Sequence, residues 1–396
     1  MSTQGPLEGI RVIDLATVVM GPYAAQILGD LGADVVKVES PTGDSTRRSV
    51  PRRGDGMGAL ALNVNRNKRS VMLDLKTEGG KNDLHRLLAD ADVLVTNMRP
   101  GALARLGFDY ESLKDRYPSL VYTSAQGFRS DSDLADHAAY DEIVQAASGL
   151  TDLMRRATGK ANYVPTILAD KVCALTIVYS TLAAVVHLRA TGEGQHIEVP
   201  MTDTMLAFNL VEHLGGHTFE PPVGPTGFYR SLSANHGAVQ TKDGWACILP
   251  YSPANVHDFF DASGHGDLND DPRFSTWQAV LDDMGELYGA IEAIAPERTT
   301  AEWESLCASY SIPMAAVLDM ENASDSRYVQ DGHLLDVAEH PTEGAYRAVG
   351  IPMRFSKTPL SIRRPAPGLG EHNDEVFAEL NRVSVESTDR TKESLS

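Results

Sequence analysis

The stretch IRVIDLATVVMGPYAAQILGDLGADVVKVE, which runs from Ile10 to Glu39, decides the fold of this chain. Two short apolar runs of the β type, Ile10–Leu15 and Asp34–Val38, flank a segment that is typical of a helix, Pro22–Leu31. A strand, a helix and a second strand in about thirty residues predict a right-handed βαβ unit with parallel strands.

The turn inside this unit argues against a dinucleotide site. Glu39 ends the second strand, where dinucleotide-binding folds carry the acid that binds the ribose. However, Thr17–Pro22 contains one glycine, whereas a pyrophosphate-binding turn needs three. A nicotinamide-dependent oxidoreductase is therefore disfavoured.

The same alternation continues along the chain. The pattern predicts strands at 70–75, 92–96, 120–124 and 195–199, and helices at 78–88, 101–106 and 201–213. Alternating strands and helices predict a doubly wound, Rossmann-like α/β sheet. Ligands of such sheets bind beyond the carboxyl ends of the strands, so the turns at 17–22, 39–41, 73–76 and 97–99 should share one rim.

A smaller α+β domain follows a linker rich in glycine and proline at 215–229. A β-hairpin is predicted at Val239–Leu249, around Asp243 and Gly244. Helices are predicted at 254–261, 276–294 and 299–309, followed by a strand from Tyr346 and a helix at 374–380. We expect a large domain at 1–222, a small domain at 223–325, and a return to the large domain at 326–396 with a disordered tail of about fifteen residues.

The composition limits which binding partners and which cellular compartment are expected. The chain has 396 residues, 42% of them hydrophobic, and a net charge of −19. Nucleic acid and anionic membrane surfaces attract basic proteins, so neither is expected as a partner. A basic leader followed by an apolar run is missing at the N-terminus, and no apolar stretch of about 18 residues is evident, which predicts a cytoplasmic protein. Three widely spaced cysteines suggest neither a disulfide framework nor a metal site.

One aspartate, Asp170, lies at the start of a long helix. Apolar residues recur at spacings of three and four from Val172 to Val186, which indicates a helix with one apolar face and places Asp170 at or next to its N-cap. Unpaired backbone N–H groups and the helix dipole favour the ionised carboxylate there. Most such aspartates only stabilise a helix; the alternative is a carboxylate nucleophile.

At this point the chain resembles the class III CoA-transferases, the family of formyl-CoA transferase and carnitine CoA-transferase, to which the α-methylacyl-CoA racemases also belong. The resemblance runs from about residue 7 to 380 in one order. The matching segments are Gly21–Ala25, Leu31–Glu39, Asn65–Leu75, Pro100–Gly107, Tyr140–Ala146, Pro165–Tyr179, Thr191–Gln195, Asp271–Phe274 and Leu369–His372.

The resemblance implies a reaction, an assembly and a site. Asp170 would attack an acyl-CoA thioester and carry CoA to an acceptor acid, with coenzyme A as part of the substrate and no bound cofactor or metal. Two chains would form an interlocked, ring-like homodimer. Tyr140 is the second catalytic candidate, because it stands where the family's racemases have histidine. The implied CoA contacts are Val19, Met20, Ser40, Leu73, Asp74, Leu75, Lys76, Asn97, Met98, Arg99, Arg105, Ala138, Ala139 and Asp141.

Some positions depart from the family pattern. Val19 replaces a glutamine of formyl-CoA transferase, and Ser40 and Ala138 replace basic residues. Arg99 and the arginines between Arg47 and Arg53 are candidates to restore the positive charge near the CoA phosphates, although the segment 40–67 is more typical of a solvated loop than of a basic flap over an anionic ligand. The glycine-rich loop of formyl-CoA transferase is missing, which argues against oxalate or formate.

The alternative activity is racemisation of a 2-methylacyl-CoA, which needs an acid and a base on opposite sides of one carbon. This chain has Ala139-Tyr140-Asp141 for the racemase triplet Gly-His-Asp, and Ser252-Pro253 for Glu-Pro. Both proton-transfer groups are therefore missing, and His137 is the nearest substitute. Four other side chains are candidates to bind the second carboxylate of a dicarboxylate such as succinate: Tyr229, Arg230, His236 and Tyr251.

Overall fold

The computed structural model of the chain describes residues 5–382, so the predicted disordered tail lies outside the described residues. The chain divides into two compact units. Unit 1 comprises the chain up to Gly149, Tyr163–Phe208 and the chain from Gly332, and unit 2 comprises Leu150–Asn162 and Asn209–Asp331. The domain boundaries expected after residues 222 and 325 stay predictions.

Unit 1 contains a six-stranded sheet with the order β3-β2-β1-β4-β5-β6, in which every neighbouring pair is parallel. The chain reverses direction across the sheet between β1 and β4, which makes that point the switch point of a doubly wound fold. The predicted α/β class is confirmed. The strands are β1 (Arg11–Leu15), β2 (Asp34–Glu39), β3 (Lys68–Met72), β4 (Val93–Thr96), β5 (Val121–Gln126), β6 (His196–Pro200), β7 (Val239–Gln240), β8 (Trp245–Ile248), β9 (Met314–Ala316), β10 (Leu335–His340) and β11 (Gly344–Val349).

Helices cover both faces of this sheet. The helices are α1 (Met20–Asp30), α2 (Ala59–Val64), α3 (Glu78–Ala89), α4 (Pro100–Leu106), α5 (Tyr110–Leu113), α6 (Asp141–Ala147), α7 (Leu150–Thr158), α8 (Leu168–Thr191), α9 (Met201–His213), α10 (Pro253–Ser263), α11 (Trp277–Asp282), α12 (Met284–Ile294), α13 (Thr300–Ser309), α14 (Arg327–Asp331) and α15 (373–382). On one face α1 packs against β1, β2 and α8. On the other, α3, α4 and α15 bury leucines and valines against Ile13, Val36 and Leu94.

Unit 2 has its own core and a three-stranded antiparallel sheet, β7-β8-β9. The predicted hairpin is confirmed, because β7 and β8 pair around Asp243-Gly244. The helix predicted over 276–294 is wrong as a single element. It is interrupted at Asp283, whose side chain accepts a hydrogen bond from the backbone N–H of Gly285 at 3.0 Å and so caps α12 as a separate helix.

Two further expectations for unit 1 need correction. Strand β3 covers Lys68–Met72 instead of 70–75, because the charged side chains at its start are compensated inside the protein and do not mark a loop. The segment 40–67 is also more ordered than expected, since it contains a 3₁₀ turn at Ser45–Arg48 and helix α2.

Helix α8 is long and apolar enough to cross a membrane by length and composition alone. The expectation that the chain has no apolar stretch of about 18 residues is therefore wrong, because Thr and Ser residues interrupt the apolar run without ending it. A core helix of a soluble protein meets the same criteria, and Ala174, Ile177 and Val185 are buried here. Its first turn carries Asp170.

Candidate active site

Two neighbouring cavities open at the carboxyl ends of the strands, on the rim expected from the topology. The first, of about 430 Å³, contains Asp170 and is called the aspartate cavity. The second, of about 380 Å³, is lined by the ends of β2 and β3 and is called the rim cavity. Thr17 and Met98 line both, so the two cavities meet at the switch point between β1 and β4.

The structure places thirteen of the fourteen implied CoA contacts, and both catalytic candidates, in these cavities. The aspartate cavity holds Val19, Met20, Asn97, Met98, Arg99, Arg105, Ala138, Ala139, Tyr140 and Asp170. The rim cavity holds Ser40, Leu73, Asp74, Leu75 and Lys76, again with Met98. Asp141 lines neither cavity.

Asp170 is the third residue of α8 and not its N-cap, which is Ile167. Its backbone N–H donates to Oδ1 of Asp141 at 3.0 Å. The side chain of Asp141 is buried and also accepts from Nε2 of Gln145 at 2.5 Å. Asp141 therefore fixes the first turn of α8 from behind, where it supports Asp170 and does not reach the cavity.

The protonation of Asp170 differs from the sequence expectation. Burial raises the pKa of its carboxyl from 3.8 to about 7, with further increases from the negative charges of Asp141 and Glu142. The prediction that the helix start would favour the ionised form is wrong, because these effects outweigh the helix dipole. At neutral pH the carboxyl of Asp170 is therefore partly protonated.

The N-terminal turn of α1 also faces the aspartate cavity, through Val19 and Met20. The N–H groups of Met20 and Gly21 precede the first intrahelical hydrogen bond, which makes them donors at the positive end of the helix dipole. Gly21 is required for this approach, because a Cβ atom at that position would lie 2.3 Å from Cβ of Ala16. Such a turn can stabilise an oxyanion that forms in the cavity.

Three basic side chains line the cavities without an ion pair to any residue in the range 5–382: Lys76, Arg99 and Arg105. Arg47, by contrast, is buried and binds Glu39 through bonds of 2.6 and 2.7 Å. Burial alone would raise the pKa of Glu39, but the hydrogen bonds from Arg47 and the charge of Lys37 lower it to about 2. Arg47 is thus a structural residue, and the expectation that it binds phosphate is wrong.

Tyr140 and His137 are the other titratable side chains of interest in the aspartate cavity. Tyr140 is the N-cap residue of α6 and its side chain is 66% exposed. Its phenol makes no hydrogen bond within the described part of the chain. No group of three His, Cys, Asp or Glu side chains between residues 5 and 382 is placed to hold a metal ion.

In unit 2 the structure brings two of the four carboxylate-binding candidates together. Nε of Arg230 donates to the hydroxyl of Tyr288 at 3.2 Å, and the ring of His236 lies 4.9 Å from the ring of Tyr288. Burial and the charge of Arg230 lower the pKa of His236. Tyr229 contacts Phe228, and Tyr251 is exposed. Tyr288 was missed, because it looks like one more apolar position on the buried face of α12.

Comparisons with known proteins agree with this geometry. The model of the family "CoA-transferase family III" matches residues 7–373. A succinate–glutarate CoA-transferase from Agrobacterium fabrum is 33% identical, with 97% of this chain and 98% of the relative covered. A formyl-CoA:oxalate CoA-transferase from Streptomyces avermitilis is 31% identical, with 94% of each chain covered.

Solved structures give the same result. A CAIB/BAIF family protein from Brucella suis has a TM-score of 0.82 and 29% identity, with 95% of this chain and 100% of that chain covered. The protein Rv3272 from M. tuberculosis has a TM-score of 0.80 and 28% identity, with 94% and 99% covered. Sequence and fold agree over nearly the whole length, and the chain therefore belongs to the CoA-transferase family III.

Proposed function

We propose that this protein transfers CoA from an acyl-CoA to a carboxylic acid through covalent intermediates on Asp170. The observation that carries this proposal is the placement of one half-buried carboxylate, without a hydrogen bond to its own oxygens among the described residues, in a cavity that also receives the start of α1. A carboxylate of this kind is poorly solvated and therefore a strong nucleophile once it is ionised.

The proposed steps keep atoms and charge in balance. A carboxylate oxygen of Asp170 attacks the thioester carbonyl, the C–S bond breaks, and a mixed anhydride and CoA thiolate result. The thiolate then attacks Cγ of Asp170, which releases the donor acid and leaves an aspartyl-CoA thioester. The acceptor acid repeats both steps in reverse and regenerates the carboxylate. A carboxylate suits this role better than a hydroxyl, since its acyl intermediates stay activated.

The surroundings of Asp170 supply the other requirements. Each attack places negative charge on a carbonyl oxygen, and the N–H groups of Met20 and Gly21 provide donors of the right kind at the start of α1, where Met20 lines the cavity. The rim cavity, with apolar walls that include Leu73 and Leu75, suits the adenine end of CoA. Lys76, Arg99 and Arg105 supply positive charge for its phosphates.

Removing this charge should weaken CoA binding. We expect Arg99→Gln and Arg105→Gln each to raise KM for acyl-CoA about tenfold, because each loses a charge-assisted contact to phosphate. The value of kcat should change less, since these contacts are made before and during the reaction alike. Steady-state kinetics at two salt concentrations measure both effects.

A matched control is Arg86→Gln, which removes an exposed arginine that pairs with Asp83 on α3 at 3.0 Å. Its KM should stay within about twofold of the wild-type value, as for most exposed ion pairs. If the control raised KM as much as the two cavity variants, general electrostatic attraction would explain the loss and the phosphate assignment would be wrong.

The acid is proposed to be a dicarboxylate such as succinate. One support is the relative named as a succinate–glutarate CoA-transferase. Another is the cluster of Arg230, Tyr288 and His236 in unit 2, in which Arg230 makes no ion pair within the described residues. A guanidinium held by one nitrogen keeps its other donors available for a carboxylate.

Transfer and racemisation can be separated in one experiment. We expect a labelled free acid to become incorporated into acyl-CoA, with succinate or glutarate ahead of acetate in a panel followed by mass spectrometry. A 2-methylacyl-CoA in deuterium oxide should show no enzyme-dependent exchange at its α-carbon, because Tyr140 stands where the racemases have histidine and Ser252 is used as the N-cap of α10, accepting from the N–H of Asn255 at 3.2 Å. Exchange without incorporation would favour the racemase, with His137 as its base.

The assembly is proposed to be a homodimer. Leu175, Tyr179 and Val186 are 53%, 63% and 70% exposed and lie at helical spacing on one side of α8, which forms an apolar stripe that a second copy can cover. Sedimentation at micromolar concentration should give twice the mass of 42.8 kDa. Val186→Glu should shift the equilibrium towards the monomer, whereas a wild-type monomer under the same conditions would overturn the proposal.

A further inference from the structure

Four charged side chains are fully buried beneath the turn that leads into α1. They are Asp14 on β1, Lys37 on β2, Lys68 on β3 and Asp44 in the segment after β2. None of them lines the aspartate cavity; of the four, Asp44 lines the rim cavity, and the proposed chemical steps use none of them. Burying charged side chains costs free energy, so a cluster of this kind indicates a structural or functional role.

The contacts of this cluster converge on the turn from Ala16 to Pro22. Nζ of Lys37 donates to the carbonyl of Ala16 at 2.9 Å, and Nζ of Lys68 donates to the carbonyl of Pro22 at 2.7 Å. The carboxylate of Asp44 accepts from the N–H of Val18 at 3.2 Å. The turn is thus held at both ends and in the middle by buried charged groups.

The charges within the cluster balance one another. Lys68 lies 2.8 Å from Asp14, and Lys37 lies 3.2 Å from Asp44 and 3.8 Å from Asp14. Burial would lower the pKa of Lys37, but the two aspartates and Glu39 together raise it, so its ammonium stays charged. Paired and hydrogen-bonded charges of this kind resist displacement, because moving one leaves its partner buried and alone.

The turn itself is strained. Val18 has a φ of 69°, in the left-handed region that a β-branched residue avoids. Such a conformation persists only where its surroundings enforce it, and strained backbone is concentrated at functional sites. Val18, Val19 and Met20 follow one another into the aspartate cavity, so the strained residue sets where the first N–H groups of α1 point.

We propose that Asp14, Lys37, Asp44 and Lys68 are positioning residues, which hold the turn at Val18 so that the start of α1 meets the oxyanion formed next to Asp170. The inference rests on the proposed transfer through Asp170 and adds the groups that fix its geometry. Asp44 makes the contact that fixes Val18 and is the natural position to test. A displacement of about 1 Å at such a position is enough to cost on the order of a hundredfold in rate.

The test compares Asp44→Ala with Asp44→Asn, which keeps an oxygen able to accept from Val18. We expect the alanine variant to lower kcat about a hundredfold, because the oxyanion exists only during reaction, whereas a change in KM for acyl-CoA would report the place of Asp44 in the wall of the rim cavity. The asparagine variant should recover at least about tenfold of that loss. Labelled-acid incorporation measures kcat, and thermal unfolding measures stability.

Asp30→Ala is the matched control. Asp30 is also a buried carboxylate, bound to Arg66 at 2.7 Å, but it sits at the opposite end of α1. The variant Asp30→Ala should lower the melting temperature as much as Asp44→Ala does. Its kcat in the folded enzyme should stay within about twofold of the wild-type value. Equal losses of kcat in Asp44→Ala and Asp30→Ala would show that the cluster only stabilises the fold, and would overturn the proposal.

If Asp44→Ala does not fold, kcat is measured on Val18→Pro instead. Proline has no N–H and cannot adopt a φ of 69°, yet this change leaves all four buried charges in place. It should reproduce the loss in kcat, and wild-type kcat in this variant would also overturn the proposal. Wild-type enzyme that shows no covalent adduct at Asp170 would instead refute the proposed function, which keeps the two failures distinct.

Discussion

Replacing Asp170 by asparagine is expected to abolish CoA transfer, with kcat reduced by about 10⁴-fold or more, as is usual when a covalent nucleophile is removed. The amide has nearly the same shape and fits the same cavity, but it cannot form the anhydride or the thioester. Binding of acyl-CoA should therefore survive. Labelled-acid incorporation measures the loss, and equilibrium binding measures what is retained.

The chain offers a close control for this variant. Asp203 is the third residue of α9, as Asp170 is the third residue of α8, but it lies outside both cavities and contacts Arg129 at 3.5 Å. Asp203→Asn should keep wild-type kcat. Incubation with acyl-CoA and hydroxylamine should modify Asp170 alone in the wild type and in the control. Transfer in Asp170→Asn would exclude the covalent mechanism.

Although Asp170→Asn should abolish activity, it should increase the stability of the folded protein. Folding raises the pKa of Asp170 to about 7, so this group favours the folded state below its unfolded pKa of 3.8 and loses that contribution as pH rises through 7. Asparagine carries no charge at any pH. Asp170→Asn should therefore be more stable than the wild type at pH 8, by roughly 2–4 kcal/mol, with a smaller difference at pH 5.

The second large effect is the pH dependence of the reaction. The nucleophile is the ionised carboxylate, so kcat/KM should approach a tenfold fall for each pH unit well below 7, and should fall about fiftyfold between pH 7 and pH 5. An ordinary carboxyl would give a flat profile over this range. Initial rates at low acyl-CoA concentration, from pH 5 to pH 8, provide the profile.

Asp141→Asn tests the cause of this profile. Removing the negative charge of Asp141 should lower the pKa of Asp170 and move the acid limb to lower pH, although burial will keep it above 3.8. The substrate phosphates are unchanged in this variant, so a shift of the limb must come from the enzyme. Two results would contradict this account. The first is an acid limb of kcat/KM near pH 4 in the wild type, and the second is an acid limb that Asp141→Asn does not shift.

Local patterns were sufficient for the main features of the fold. The strand-helix-strand pattern from Ile10 to Glu39 predicted the parallel sheet, and the position of the turns predicted its ligand-binding rim. The start of β3 was misplaced, because sequence patterns treat Lys68 as a surface residue. Only the fold brings Asp14, far away in sequence, to within 2.8 Å of its ammonium group.

The candidate site was predictable in its membership but not in its electrostatics. Thirteen of the CoA contacts that the family resemblance implied line the cavities, and most of them lie in the turns that follow strands β1 to β4. The raised pKa of Asp170 depends on burial and on Asp141, which is 29 residues away and contacts its backbone. Neither quantity has a local signal in the sequence. Tyr288 was missed for the same reason, because its hydroxyl acquires meaning only next to Arg230.

The division of the chain into two units bears on how this family diversifies. Every residue proposed to handle CoA belongs to unit 1, whereas the cluster proposed to select the acid belongs to unit 2, which occupies two separate insertions in the chain. Substitutions in those two stretches would leave every residue proposed for the thioester chemistry in place.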